Sequence, residues 1–160
     1  MRSTSIYLAA WNVLCLSLLG LAWAYGLIQQ VFLHDVSHIT LLLAALMALV
    51  IIQTTYQAWQ LDRGVERAAR ELAGMTALVQ FIKNEVLVIL GICGTLLGIM
   101  LITGAGADMS TPEAIAAKIA ASNAGLHTGV SASLVAMICK LWSEMIFFIK
   151  SGRLRELGWL

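Results

Sequence analysis

Charge is absent from four long stretches of this chain. No Lys, Arg, Asp or Glu occurs from Ser3 to His34, from Val36 to Leu61, from Val86 to Ala107, or from Ile119 to Cys139. Each stretch is dominated by apolar side chains. Each also reaches the ~20 residues that a helix needs to cross a hydrocarbon core. The pattern predicts an all-α fold, a single membrane domain over 1–160 with four transmembrane helices at about 6–33, 39–59, 86–104 and 114–139. A cytoplasmic helical linker is expected over 62–83 and a cytoplasmic tail over 140–160.

The first stretch begins like a signal peptide, with Arg2 ahead of it and "AWA" at Ala22 to Ala24 as a passable cleavage site. Its apolar run continues to Leu33, too long for such a segment, so we read it as a retained span. Basic residues set the expected orientation. Arg63, Arg67, Arg70 and Lys83 lie between spans two and three, and Lys150, Arg153 and Arg155 follow span four. The "HDVSH" loop and the segment from Gly104 to Glu113 hold neither Lys nor Arg, and Lys118 is the one basic residue near that face. The positive-inside rule then places both termini in the cytoplasm.

Spans one and two read as generic membrane helices, with Trp11, Trp23 and Tyr25 turned to lipid or its interface. In the linker, Glu66 and Arg70 are four apart, as are Arg67 and Glu71, the spacing of a solvated helix. Span four outruns the bilayer: nothing except Gly125 and Gly129 interrupts helical sequence from Glu113 to Ser151. That length is roughly 55 Å against a ~30 Å hydrocarbon core. Spans three and four are therefore expected to extend into the cytoplasm, with Lys140 and Glu144 near or below the inner interface.

Composition agrees with lipid as the solvent. Hydrophobic residues make up 60% of the 160 residues and charged residues 12%, about half the usual ~25%. A soluble domain of this size could not bury so much apolar surface. The net charge of +1 gives no reason to expect a nucleic-acid partner. Cys15, Cys93 and Cys139 all fall inside spans without metal or disulfide spacing, and are read as packing thiols. No cofactor, metal or catalytic constellation is indicated, so the chain is not read as an enzyme.

The informative text lies in spans three and four. "ILGICGTLLGIM", from Ile89 to Met100, carries Gly91, Gly94 and Gly98 although glycine costs a helix interior roughly 1 kcal/mol. Gly94 and Gly98 form a GxxxG, as do Gly125 and Gly129, with Ala121 and Ser133 extending the second stripe. In lipid, helices associate through the close approach that small residues permit. Counting from a loop at Ala105 to Glu113 brings Thr95 level with Ser122 and Asn123 near mid-membrane. Asn123, His127 and Ser131 recur every four residues, a polar stripe expected to face protein or water. The simpler alternatives are hydroxyls bonded to their own helices and a neutral, hydrogen-bonded His127. No Asp or Glu lies near the middle of any span, so an ion path would need its acid from another chain.

These residues resemble the MotA/TolQ/ExbB proton-channel family. "LGICGTLLGIM" is similar to its LG-x-x-GT-x-x-G signature, and "IAAKIAASNAGLHTGVSA" to its second channel helix. The likeness covers about 60 residues around Leu90 to Val135, and the four-span order resembles the MotA branch. It puts Thr95 and Ser122 at the family's two channel hydroxyls, while Gly125 and Leu126 match directly. It implies a homopentamer around a dimeric single-span partner that carries the titrating Asp, in a bacterial inner membrane. Ala117 stands where some branches have glutamate, Ser131 stands at the family proline, and the cytoplasmic insertion is reduced to 62–83. These departures argue against a flagellar stator and for a compact motor unit.

The resulting expectation is an ion-conducting, energy-coupling subunit, with the proton as the ion. Thr95, Ser122, Asn123 and His127 would line the channel, and Gly91, Gly94, Gly98, Gly125 and Gly129 would set helix approach. The rivals are a non-conducting membrane scaffold and, last, a small stand-alone transporter relying on His127.

Overall fold

The computed structural model describes residues 4–35, 37–63, 78–104 and 110–156. No strand occurs among the described residues. Helix α1 is Thr4–Ala24, α2 Leu27–His34, α3 Ile39–Asp62, α4 Leu87–Gly104 and α5 Pro112–Glu156, with a π-helical turn over Ile82–Val86 leading into α4. Four helical segments are long and apolar enough to cross a membrane: Thr4–Ala24, Ile39–Gln60, Leu78–Gly104 and Pro112–Glu156. Among the described residues nothing covers their outer faces, with Leu14, Leu18, Leu49, Ile92 and Leu134 all exposed. Soluble monomers rarely expose apolar surface so continuously. This is the pattern of a membrane-embedded chain.

Two boundaries differ from the charge pattern. The first apolar stretch is not one helix over 6–33: it divides into α1 and α2 at Gly26, whose φ of 76° is left-handed. Only glycine adopts that conformation without cost. The Tyr25 and Gly26 amides turn back to Leu21 O at 3.1 Å and Trp23 O at 2.9 Å, which closes α1. The third membrane-length segment already runs from Leu78, so Lys83 lies within it rather than at the end of a separate linker. The Glu66–Arg70 and Arg67–Glu71 pairs lie outside the described residues.

One buried cluster joins the four long helices: Leu8 of α1, Leu43 and Met47 of α3, Leu87 of α4, and Ala136, Cys139, Trp142 and Ile146 of α5. Polar anchors fix the helices around it. The Trp142 indole donates to Asn12 Oδ1 at 2.9 Å in the core. Asp62, ending α3, accepts from Thr4 N at 3.0 Å, Ser5 N at 2.8 Å and Ser5 Oγ at 2.5 Å. One helix's acid thus caps the start of another, where free N–H groups and the helix dipole favour an anion. Lys150 Nζ donates to Gln57 Oε1, which ties α5 to the same end of α3.

Asp35 caps α3 in the same way, accepting from Ser37 N at 3.0 Å, Ser37 Oγ at 2.6 Å, Thr40 N at 2.9 Å and Thr40 Oγ1 at 2.5 Å. Burial pushes this carboxyl up, but the hydrogen bonds from Ser37 and Thr40 outweigh it and hold it below the ordinary carboxylate value.

Lys83 is only 4% exposed. Its ammonium meets Glu144 Oε2 at 2.9 Å and lies 4.5 Å from the Phe147 ring. Val79, Lys83, Leu87 and Gly91 are all buried although spaced by four. On a 3.6-residue helix such a series drifts off its face. The wider π turn at Ile82–Val86 absorbs the drift and keeps Lys83 aimed at α5. Helix α5 has 45 residues, about 68 Å of helix, well beyond a ~30 Å hydrocarbon core.

Candidate functional site

The closest helix contact is between α4 and α5, and small residues make it possible. A methyl placed on Gly98 would lie 2.7 Å from Gly129 N and 2.8 Å from Gly129 Cα, and would also strike Gly125 O. One on Gly125 would lie 2.5 Å from Gly98 O and 2.6 Å from Ile102 Cγ1. Two backbones therefore touch at this crossing, an approach only glycine allows. Further along, Gly94 faces the Ala132 methyl, and Gly91 faces Ala136, whose Cβ would lie 2.7 Å from an added one. Gly129 is looser: its nearest neighbours are Thr95 Cα and O, both at 3.6 Å.

These contacts set the register, and it is not the one counted from the loop. Thr95 lies beside Gly129 and Ser133. Ser122 is eleven residues earlier than Ser133, about 16 Å along α5. It therefore does not share a level with Thr95. The counting treated the connection as symmetric. The close-packed glycines instead dictate where the helices cross, so the first turns of α5 run past the end of α4. Part of the connection, residues 105–109, lies outside the described residues.

The partner of Thr95 is Ser133. Their hydroxyl oxygens are 2.5 Å apart, and Thr95 Oγ1 also donates to Gly91 O at 3.0 Å. Each hydroxyl has one proton and two lone pairs. With the Thr95 proton on Gly91 O, the Ser133 proton points to Thr95. What remains open is acceptor capacity on Ser133. Both side chains are half-buried at the edge of the seam. The sequence marked Ser133 only as a small residue. Its position four beyond Gly129 was the signal that could have identified it.

Asn123 and His127 are exposed, one turn apart on α5, and Ser122 is half-buried beside Asn123. They share one helix with the Thr95–Ser133 pair but not its level. Ser131 is buried and donates to Thr128 O at 3.2 Å, so it belongs to the packed interior rather than to the exposed stripe. No group of three or more His, Cys, Asp or Glu capable of holding a metal occurs among the described residues. Cys139 is buried, Cys15 half-buried and Cys93 exposed.

Comparison of the chain with protein-family models, curated proteins and solved structures finds no match. The likeness to the proton-channel family rests on the two motifs alone.

Proposed function

We propose that this chain is the ion-conducting, energy-coupling subunit of a motor-like complex in a bacterial inner membrane. In this reading both termini are cytoplasmic, the subunit forms a homopentamer, and the proton is the ion. A dimeric single-span partner supplies the titrating Asp.

The observation that carries the reading is the Thr95–Ser133 hydroxyl pair, set at the edge of the tightest helix crossing. No Asp or Glu occurs in α4 or between Ala114 and Ser143 of α5. The pair offers lone pairs outward, so it suits a group that brings its own proton, such as a neutral carboxyl. A hydrogen bond to the neutral form favours proton retention and raises the acid's pKa. Rotation of the Ser133 hydroxyl would turn a donor outward and favour the anion instead. A carboxyl beside the pair could thus be loaded and discharged. Asn123 and His127 would serve as further polar contacts along the same helix.

One observation favours the rival, a non-conducting scaffold: both hydroxyls find partners within the chain. The complex purified from its native membrane separates the two. Native mass measurement should give five copies with two of a single-span chain. In liposomes, Thr95→Val and Ser133→Ala should each lower proton flux at least ~10-fold, a loss of ~1.4 kcal/mol or more in barrier terms, with assembly intact. No flux above empty liposomes from the wild-type complex would favour the scaffold, and wild-type flux unchanged in the double variant, with assembly intact, would place the ion path away from this pair.

A further inference from the structure

A groove of about 680 Å³ runs between α1 and α3. Ile6, Ala9, Ile51, Ile52, Tyr56 and Trp59 line it. Ile6 and Ile52 are about two-thirds exposed, at 68% and 67%, so no described residue covers the groove. One end is polar. There Asp62 is occupied by the Thr4 and Ser5 amides and the Ser5 hydroxyl. The next residue, Arg63, folds back so that its guanidinium lies 3.6 Å from the centre of the Trp59 ring.

We propose that this groove binds an anionic phospholipid, with an acyl chain along the apolar wall and the phosphate on Arg63. Three features select that occupant. The groove opens on the outer surface of two membrane-length helices, where acyl chains are the solvent. Trp59 and Tyr56, with ring centres 6.2 Å apart, are the amphipathic residues that settle at headgroup depth. Finally, stacking uses the face of the guanidinium and leaves its N–H edge for phosphate oxygens. No described residue takes that edge. The Asp62 carboxylate, the nearest acid in sequence, is directed to the start of α1. A zwitterionic lipid would bring an ammonium towards the same cation, whereas a net anion would not. The inference holds whichever functional reading is right.

The test uses the full-length protein in nanodiscs of equal parts phosphatidylglycerol and phosphatidylcholine, followed by delipidation and native mass measurement of retained lipid. One basic residue at an anionic surface should give about fivefold preference. Wild type should therefore retain phosphatidylglycerol over phosphatidylcholine by about that factor. Arg63→Gln should abolish the preference, and Trp59→Leu should reduce it by freeing the guanidinium. Arg63 is exposed, so folding is not at risk in the first variant. Equal retention of the two lipids by wild type would overturn the proposal, as would a preference that survives in Arg63→Gln.

Discussion

Gly94→Ala should destabilise the helix pair, and Ala132→Gly should rescue it. The added methyl at position 94 would collide with the Ala132 methyl, but its next neighbours, Ala132 Cα and Ile39 Cγ2, are both at 3.7 Å, an ordinary contact. The obstacle is thus a single removable group. Overpacking costs ~1–3 kcal/mol, of which the better helix propensity of alanine returns ~1 kcal/mol. The single Gly94→Ala variant should therefore lose about 1 kcal/mol. Ala132→Gly alone loses ~1 kcal/mol of propensity and a further ~1 kcal/mol of contact from its fully buried methyl. In the double variant propensities cancel and one methyl fills the space of the other. It should unfold within ~0.5 kcal/mol of wild type, a coupling of about 3 kcal/mol. Reversible unfolding in mixed micelles, followed by tryptophan fluorescence, measures all four corners. A double variant whose loss equals the sum of the singles would refute the register. Gly98→Ala offers the contrast: its obstacles are the backbone of Gly125 and Gly129, so no single side-chain change should restore it.

Removing Glu144 should cost more than removing Lys83. Glu144→Gln leaves a buried ammonium beside Phe147 with a weaker acceptor, whereas Lys83→Met removes the charge with its partner still 46% exposed to solvent; we expect a difference of about 1 kcal/mol in the same unfolding assay. Asp35→Ala should cost ~0.5–2 kcal/mol through loss of the α3 cap. Because the Asp35 carboxyl is depressed in the folded chain, its contribution is complete above the ordinary value of 3.8 and fades as pH falls below that. Wild type and Asp35→Ala should accordingly converge in stability under acid, and a gap that stays constant below pH 3.8 would count against the cap.

The four membrane-length helices were legible because charge and apolarity alone mark segments that lipid must surround. Gly91, Gly94, Gly98 and Gly125 were legible as sites of close approach because small residues repeated along one face of an apolar helix let another backbone near. What the sequence did not carry was the vertical offset between the helices. That offset follows from which backbone atoms can touch, and loop length only bounds it. The break at Gly26 was hidden because a glycine in a long apolar run is compatible with either a continuous helix, as at Gly20, or a stop. Lys83 was hidden for a different reason. A charge near the end of an apolar run reads as the edge of a span, and only the π turn brings it back into the packed face.

The offset changes what the polar residues can do together. Thr95 and Ser133 sit at the glycine crossing, while His127 and Asn123 are six and ten residues earlier than Ser133 on α5, about 9 and 15 Å away along the helix. A single ring of hydroxyls at mid-depth is therefore replaced by polar groups at separate levels. An amide exposed within an apolar helix does not face lipid tails without a large cost. Another copy of the chain, a partner helix or water must cover Asn123. A scaffold satisfies this with protein contacts alone. A conductor needs water or a titrating group to reach the polar groups in turn, and spacing them over several helical turns favours that arrangement. In the proposed conductor these hydrogen-bonding groups would stand at successive depths, with the Thr95–Ser133 pair one turn from the Gly98–Gly125 contact.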